Sequence, residues 1–71
     1  MSRLRKISVV IDGHPTSLSL EPKFWDAFVA LCNSDETRPV DRLAAIDRER
    51  DGGLSGAVRL WVLDRLSKTQ R

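Results

Sequence analysis

Ser17 and Ser19 stand two residues apart, alternating with Leu18 and Leu20. On an extended strand that spacing puts both hydroxyls on one face and both leucines on the other. Small hydroxyls in a row can give and take hydrogen bonds with a polar ligand; they also suit a strand face that is simply wet. Arg3, Arg5 and Lys6 gather upstream, with no acid among residues 1–11. A cationic end of this kind suits a polyanion, or else serves only to solvate the chain. His14 and Cys32 are the sole residues of their types. One cysteine excludes an internal disulfide and a cysteine-based zinc site, and one histidine excludes most two-histidine metal centres. No acid–base pair or metal constellation is in view, so neither an enzyme nor a bound metal or cofactor is expected. His14 reads as structural. Cys32, on the apolar side of a helix, reads as a small buried hydrophobe rather than a redox sensor.

The elements that position these residues follow from periodicity. Ile7, Val9 and Ile11 alternate with Ser8 and Val10 within residues 5–11, the period of a strand. Asp12-Gly13 is hairpin-turn chemistry, and residues 16–20 form a second, half-buried strand. Pro22 opens a first helix that runs to about residue 32. Phe24, Trp25, Phe28, Leu31 and Cys32 recur along it at helical spacing. A second helix is expected from near Pro39 to Arg50, stopped by Asp51-Gly52-Gly53 with a glycine as left-handed cap. Ser55 suits the N-cap of a third, which carries Val58, Leu60, Trp61, Val62, Leu63 and Leu66. Trp25, Phe28 and Trp61 read as core aromatics. Four consecutive apolar residues, Leu60 to Leu63, span about 300° of the helix circumference. One small domain covers roughly a third of a helix surface. A second cover is therefore expected from another subunit, the competing arrangement being a central helix in a monomer.

The 71 residues allow one domain, residues 1–71, with 1–5 as a basic arm, 6–20 as a hairpin or ribbon and 22–71 as helices. A chain this short sits near the limit for folding on its own core, and oligomerisation is a common remedy. There is no apolar run long enough for a membrane span and no secretory signal pattern, so a soluble, cytoplasmic module is expected. The net charge of +2 conceals a pattern: residues 1–11 and 52–71 each carry +3, 12–36 carry −4, and 37–51 balance.

The stretch Gly13-His14-Pro15-Thr16-Ser17-Leu18-Ser19-Leu20-Glu21-Pro22-Lys23-Phe24-Trp25-Asp26-Ala27-Phe28 resembles a bacterial ribbon-helix-helix subfamily. Its members read Gly-His-x-Thr-Ser-(Ile/Leu)-Ser-Leu-Glu-Pro-x-Phe-Trp-x-Ala. Ala45-Ile46-Asp47-x-Glu49-Arg50 resembles the end of that subfamily's second helix. Leu54-Ser55-x-Ala57-x-Arg59-Leu60-x-Val62-Leu63 resembles its terminal helix. The resemblance implies an α+β fold, a short β-ribbon followed by three helices, assembled as an intertwined homodimer. It also implies that one strand of each chain, here 15–20, pairs with its mate and enters the major groove of DNA. Leu18, Leu20, Phe28 and Trp61 would then form the dimer core. Ser17 and Ser19 would face the bases, with Arg3, Arg5 and Lys6 supplying attraction. Thr37 and Arg38, at the start of the second helix, would hold a phosphate. Pro15 stands where many relatives carry a basic residue, and Asp41 in the same helix turn repels a phosphate.

The resemblance thus implies a DNA-binding transcriptional regulator, such as a repressor, associated with the nucleoid. A second reading is a dimerisation or adaptor module for another protein, with DNA binding weak or lost. Pro15 and the serine-only face motivate it, and an exposed apolar patch near Trp61 would support it. An antitoxin, a lesser third, would call for a longer tail than residues 67–71.

Overall fold

A computed structural model of the chain describes residues 3–69. The β-branched residues of the first segment form β1 (Arg5–Ile11), which pairs antiparallel with β2 (His14–Leu20). Asp12 and Gly13 join them with φ of 51° and 82°. These are the two left-handed central positions of a type I′ turn, whose twist matches that of the strands. The turn fixes the register. Arg5 lies opposite Leu20, and Lys6, Ser8 and Val10 lie opposite Ser19, Ser17 and Pro15. Ile7, Ile11, Leu18 and Leu20 point inward and are buried. The alternate positions, including Ser8, Val10, Pro15 and Ser17, face solvent.

A two-residue loop makes its flanking pair, Ile11 and His14, a hydrogen-bonded one. Alternation then makes Val10–Pro15, Ser8–Ser17 and Lys6–Ser19 non-hydrogen-bonded pairs, with their amides aimed at the outer edges. Pro15 therefore sits where its missing N–H removes no bond of the ladder. Ser19 agrees with this register: its N–H donates to Ser55 Oγ at 3.0 Å, on the edge away from β1.

Pro22 begins α1 (Pro22–Ser34), and the Glu21 carbonyl accepts from the Phe24 and Trp25 amides. The helix ends in a Schellman turn. Thr37 N–H donates to Cys32 O and Glu36 N–H to Asn33 O, with Glu36 at a φ of 57° in the place glycine usually takes. Next come α2 (Pro39–Glu49) and α3 (Leu54–Thr69). α2 packs on β1, α3 packs on β2, and α1 packs against both other helices. Leu20, Phe28, Leu43, Cys32, Val58 and Val62 are wholly enclosed where these layers meet. Phe28 is the centre, with Trp25 stacked at 5.4 Å on one side and Trp61 edge-on at 5.4 Å on the other. Both tryptophans are half-buried.

Several local expectations need correction. β2 starts at His14 rather than 16, whereas β1 spans residues 5–11 as its alternation predicts and so takes in the last residue of the basic arm. Residues 1 and 2 of that arm and residues 70 and 71 of the tail lie outside the described residues. α1 runs two residues past 32 because the Schellman turn prolongs it. Ser55 lies inside α3 rather than capping it; Ala57 N–H bonds to the Gly53 carbonyl, while the Ser55 hydroxyl serves the unpaired edge of β2. α2 does not end on a left-handed glycine. Arg50 is already extended, and Gly52, at a φ of 156°, shapes the loop two residues later. Apart from these corrections, β2 pairs with β1 along one edge, and its other edge carries no strand among the described residues. As for α3, its one covered side holds Leu54, Val58 and Val62, while Leu60 is 70% and Leu63 51% exposed.

Phe28 is wholly enclosed and packs against both tryptophans, so Phe28→Ala should cost about 3–5 kcal/mol, the range for a large aromatic leaving a cavity. Urea unfolding followed by tryptophan fluorescence reads it. A loss under about 1 kcal/mol would mean that the ring is not enclosed as described.

Candidate nucleic-acid interface

Among the described residues, the outer face of the hairpin is exposed and the helices pack on its other face. Its side chains form three rungs. Val10 and Pro15 lie next to the turn, Ser8 and Ser17 lie in the middle, and Lys6 and Ser19 lie at the base. All of these but Ser19 border a shallow open depression. Lys6, Ser17 and Ser19 from the sequence reading therefore come together. Arg5 is exposed but has the parity of Ile7, so it leaves the strand on the helix side, beside the rungs rather than among them. Arg3 precedes the strand and is exposed. Sequence reasoning missed Ser8 and Val10 as members of this face. The signal was present, because a two-residue Asp-Gly turn fixes which residues of β1 oppose Ser17 and Pro15.

The charges around the hairpin are sorted. No carboxylate lies on the outer face. Asp12 at the turn pairs with Arg48 of α2 at 3.5 Å, and Glu21 at the base accepts from Arg59 Nε of α3 at 2.8 Å. The hydrogen bond from Arg59 holds the Glu21 carboxyl below its ordinary range. Among the described residues, Arg3, Arg5 and Lys6 have no carboxylate at ion-pair distance. The helices thus neutralise the acids at both ends of the ribbon and leave its cations available.

Thr37 and Arg38 lie together at the start of α2, in another arrangement. Thr37 N–H is spent on Cys32 O, and its hydroxyl donates to Asp35 O at 3.3 Å. Arg38 grips Asp41 with two hydrogen bonds, Nε–Oδ2 at 2.9 Å and Nη2–Oδ1 at 3.2 Å. That hydrogen bonding pushes the Asp41 carboxyl down and the Arg38 guanidinium up from their ordinary values. Pro39 has no N–H, and the Asp41 and Arg42 amides bond to the Arg38 carbonyl. In the isolated chain these donors are occupied internally.

Near this turn, Asp35 joins α1 to α3. It accepts two hydrogen bonds from Arg65, at 2.5 and 3.0 Å, and Arg42 Nη2 stands 3.8 Å away. Both guanidinium groups lie over the Trp61 ring, at 5.3 Å for Arg42 and 5.2 Å for Arg65. Such cation–π contacts turn a half-buried tryptophan into a joint between helices. The hydrogen bond from Arg65 holds the Asp35 carboxyl below its ordinary range. Cys32 is buried beneath, and burial pushes its thiol up, which suits an inert core residue. Among the described residues no three His, Cys, Asp or Glu side chains converge as metal ligands. None of the described helices is long and apolar enough to cross a membrane.

A family model described as a ribbon-helix-helix domain matches residues 4–66. Comparisons with curated proteins and with solved structures give no match.

Glu21 and Asp35 both have folded-state values below their unfolded ones. The stability they contribute is full above the unfolded value, about 4, and is lost as pH falls through the lower folded values. The thermal midpoint should hold between pH 7 and about 5 and fall below about 4. Asp35→Asn should lower the midpoint at pH 7 and shallow the acid decline. An unchanged acid slope would show that the Arg65 contact does not govern it.

Proposed function

The chain belongs to the ribbon-helix-helix domain family, and from that premise we propose that it is a dimeric DNA-binding protein, a transcriptional regulator of the repressor kind acting in the cytoplasm on the nucleoid. The outer face of the ribbon enters the major groove, which at about 12 Å admits a two-stranded ribbon. One observation carries this reading: an uncovered strand face without a carboxylate, beside Arg3, Arg5 and Lys6, which have no ion-pair partner among the described residues, with the flanking acids held by Arg48 and Arg59. Ser17 and Ser19 offer hydroxyls to base edges, and serine accepts either a donor or an acceptor there. Arg3, Arg5 and Lys6 neutralise phosphates, which supplies most of the affinity. Thr37 and Arg38 take a flanking phosphate when Arg38 exchanges Asp41 for it.

A second copy of the chain covers α3. Leu60 and Leu63 are exposed on the side away from the core, and Phe24, Ala27, Leu63 and Leu66 edge an apolar groove between α1 and α3. Burying such a surface is a common route by which a chain this small gains stability. Two ribbons on one dimer also raise effective affinity, which single ribbons with few charges lack.

The adaptor reading rests on the same α3 surface and on the closed Arg38–Asp41 pair. In it, the exposed leucines receive a different protein and the ribbon face stays idle. The two readings separate in one titration. Fluorescence anisotropy of random and genome-derived duplexes, at two salt concentrations, should show binding that weakens steeply with salt. Arg5→Ala/Lys6→Ala should weaken it and reduce the log–log salt slope by about 2 in magnitude, since each lost phosphate contact removes roughly 0.9. Ser17→Ala/Ser19→Ala should leave the slope and flatten preference among sequences. A folded dimer that binds no duplex at low salt would contradict the proposal and favour the adaptor.

A further inference from the structure

The exposed side of α3 carries a pattern of its own. Gly56, Leu60 and Leu63 fall within about 60° of one another at 100° per residue, and all three are exposed. Gly53, just before the helix, continues the same stripe. Small residues thus occupy its first half and leucines its second. Beside the glycines lies an open hollow of about 250 Å³, lined by Gly53, Gly56, Ala57 and Leu60, with Asp51 and Gly52 at its rim. A Cβ on Gly53 or Gly56 would meet nothing within 4 Å. Glycine inside a helix weakens it relative to alanine, and nothing within the chain asks for one at 56.

We infer that two copies of the chain pair through α3 as antiparallel helices, with Leu60 and Leu63 of each seated on Gly56 and Gly53 of the other. The inference rests on the reading that a second copy covers α3, and adds the orientation and the residues that meet. A two-fold contact is self-complementary: residue i meets j, and j meets i. About an axis level with residue 58, position 60 lies opposite 56 and position 63 opposite 53. A large side chain then meets a small residue at all four contacts. A parallel pair would set leucine against leucine and glycine against glycine, and leave the hollow unfilled.

The charges at the two ends of the stripe are complementary in the same sense. Glu49 and Asp51 border the glycine end, both exposed and without an ion-pair partner among the described residues. Arg50, between them, is held by Asp47 at 2.6 Å. The leucine end carries Lys68, whose pair with Asp64 at 3.1 Å is exposed and therefore yields readily. An antiparallel pair brings each Lys68 toward the acids of the other copy. The stripe also stands clear of the ribbon. Ser55 marks the side of α3 turned to the open edge of β2, and Gly56 and Leu60 lie roughly 100° or more round the helix from it. A chain whose open edge is taken by a mate's strand still presents the stripe. One helix of about 24 Å buries less than the about 800 Å² per partner of a standard interface, so the contact supplements pairing through the ribbon.

The test co-expresses two chains, one carrying Gly56→Cys and the other Leu60→Cys with a mass tag, and oxidises the product. Cys32 is buried and stays apart. Facing positions 56 and 60 come within disulfide reach. Two copies of one position lie about 6 Å apart along the helices and about 8 Å across them, which is beyond it. The mixed disulfide should therefore exceed each like-with-like disulfide about tenfold or more. Adding Leu63→Asp to both chains should cut its yield about tenfold or more, the worth of one buried leucine, with circular dichroism retained. Like-with-like disulfides that equal or exceed the mixed one would overturn the inference and leave a second copy on α3 standing. A mixed disulfide that survives Leu63→Asp would overturn it also, by showing collision in place of seating. No disulfide of any kind would overturn both.

Discussion

Asp12 and Gly13 hold consecutive left-handed backbone conformations, and the layout of the molecule depends on them. A type I′ turn of two residues admits one register between the strands it joins. A slip of one position would move Ile7, Ile11, Leu18 and Leu20 to the solvent and Ser8, Val10, Ser17 and Ser19 to the core. Aspartate tolerates the first position and glycine the second. Once the turn has set the register, the apolar face of the hairpin receives α2 under β1 and α3 under β2, and Phe28 closes the space between helices. The uncovered face is then what remains, and its three rungs follow without further choice.

The electrostatic arrangement depends on the same register. Asp12 is part of the turn, and Glu21 follows the last residue of β2, so the hairpin carries an acid at each end. Each acid is met by an arginine from a different helix, Arg48 from α2 and Arg59 from α3. These pairs are part-exposed and add little stability individually. Their larger consequence is for the field at the ribbon, where Arg3, Arg5 and Lys6 have no carboxylate at ion-pair distance among the described residues. The start of α2 is organised in the opposite sense, with Arg38 closed on Asp41. The two cationic regions therefore differ: among the described residues the first has no carboxylate at ion-pair distance, and the second is engaged by Asp41.

Much of this was legible in the sequence because it rests on periodicity. The alternation of Ile7, Val9 and Ile11, the Asp-Gly turn, Pro22 at a helix start and the helical spacing of Phe24, Phe28 and Cys32 each act locally, and each element formed. The failures share a cause. Ser55 has the composition of an N-cap, but the Ser19 amide needed a partner across the fold, a need invisible to local reading. Gly52 and Gly53 looked like a helix stop, yet α2 ends by Arg50 turning extended. Glu36 is no glycine, and its left-handed conformation is imposed by the Schellman turn around it. On the open face of the hairpin, the positions of Ser17 and Ser19 follow from the alternation of their own strand. Ser8 and Val10 needed the register as well, and the pairing of Arg38 with Asp41 needed coordinates. Trp61 reads as core from its spacing; it packs half-buried against the core, and two guanidinium groups lie over its ring as well.

The central claim is that the open face of the ribbon is where DNA docks. Amide chemical-shift mapping of ¹⁵N-labelled protein titrated with a duplex tests it most directly, because it reports each strand separately. The account predicts that the largest changes fall on Lys6, Ser8, Val10, Ser17 and Ser19, with Arg5 beside them, and that Leu60 and Leu63 of α3 stay still. Changes concentrated on α3, with the ribbon amides unmoved, would contradict it.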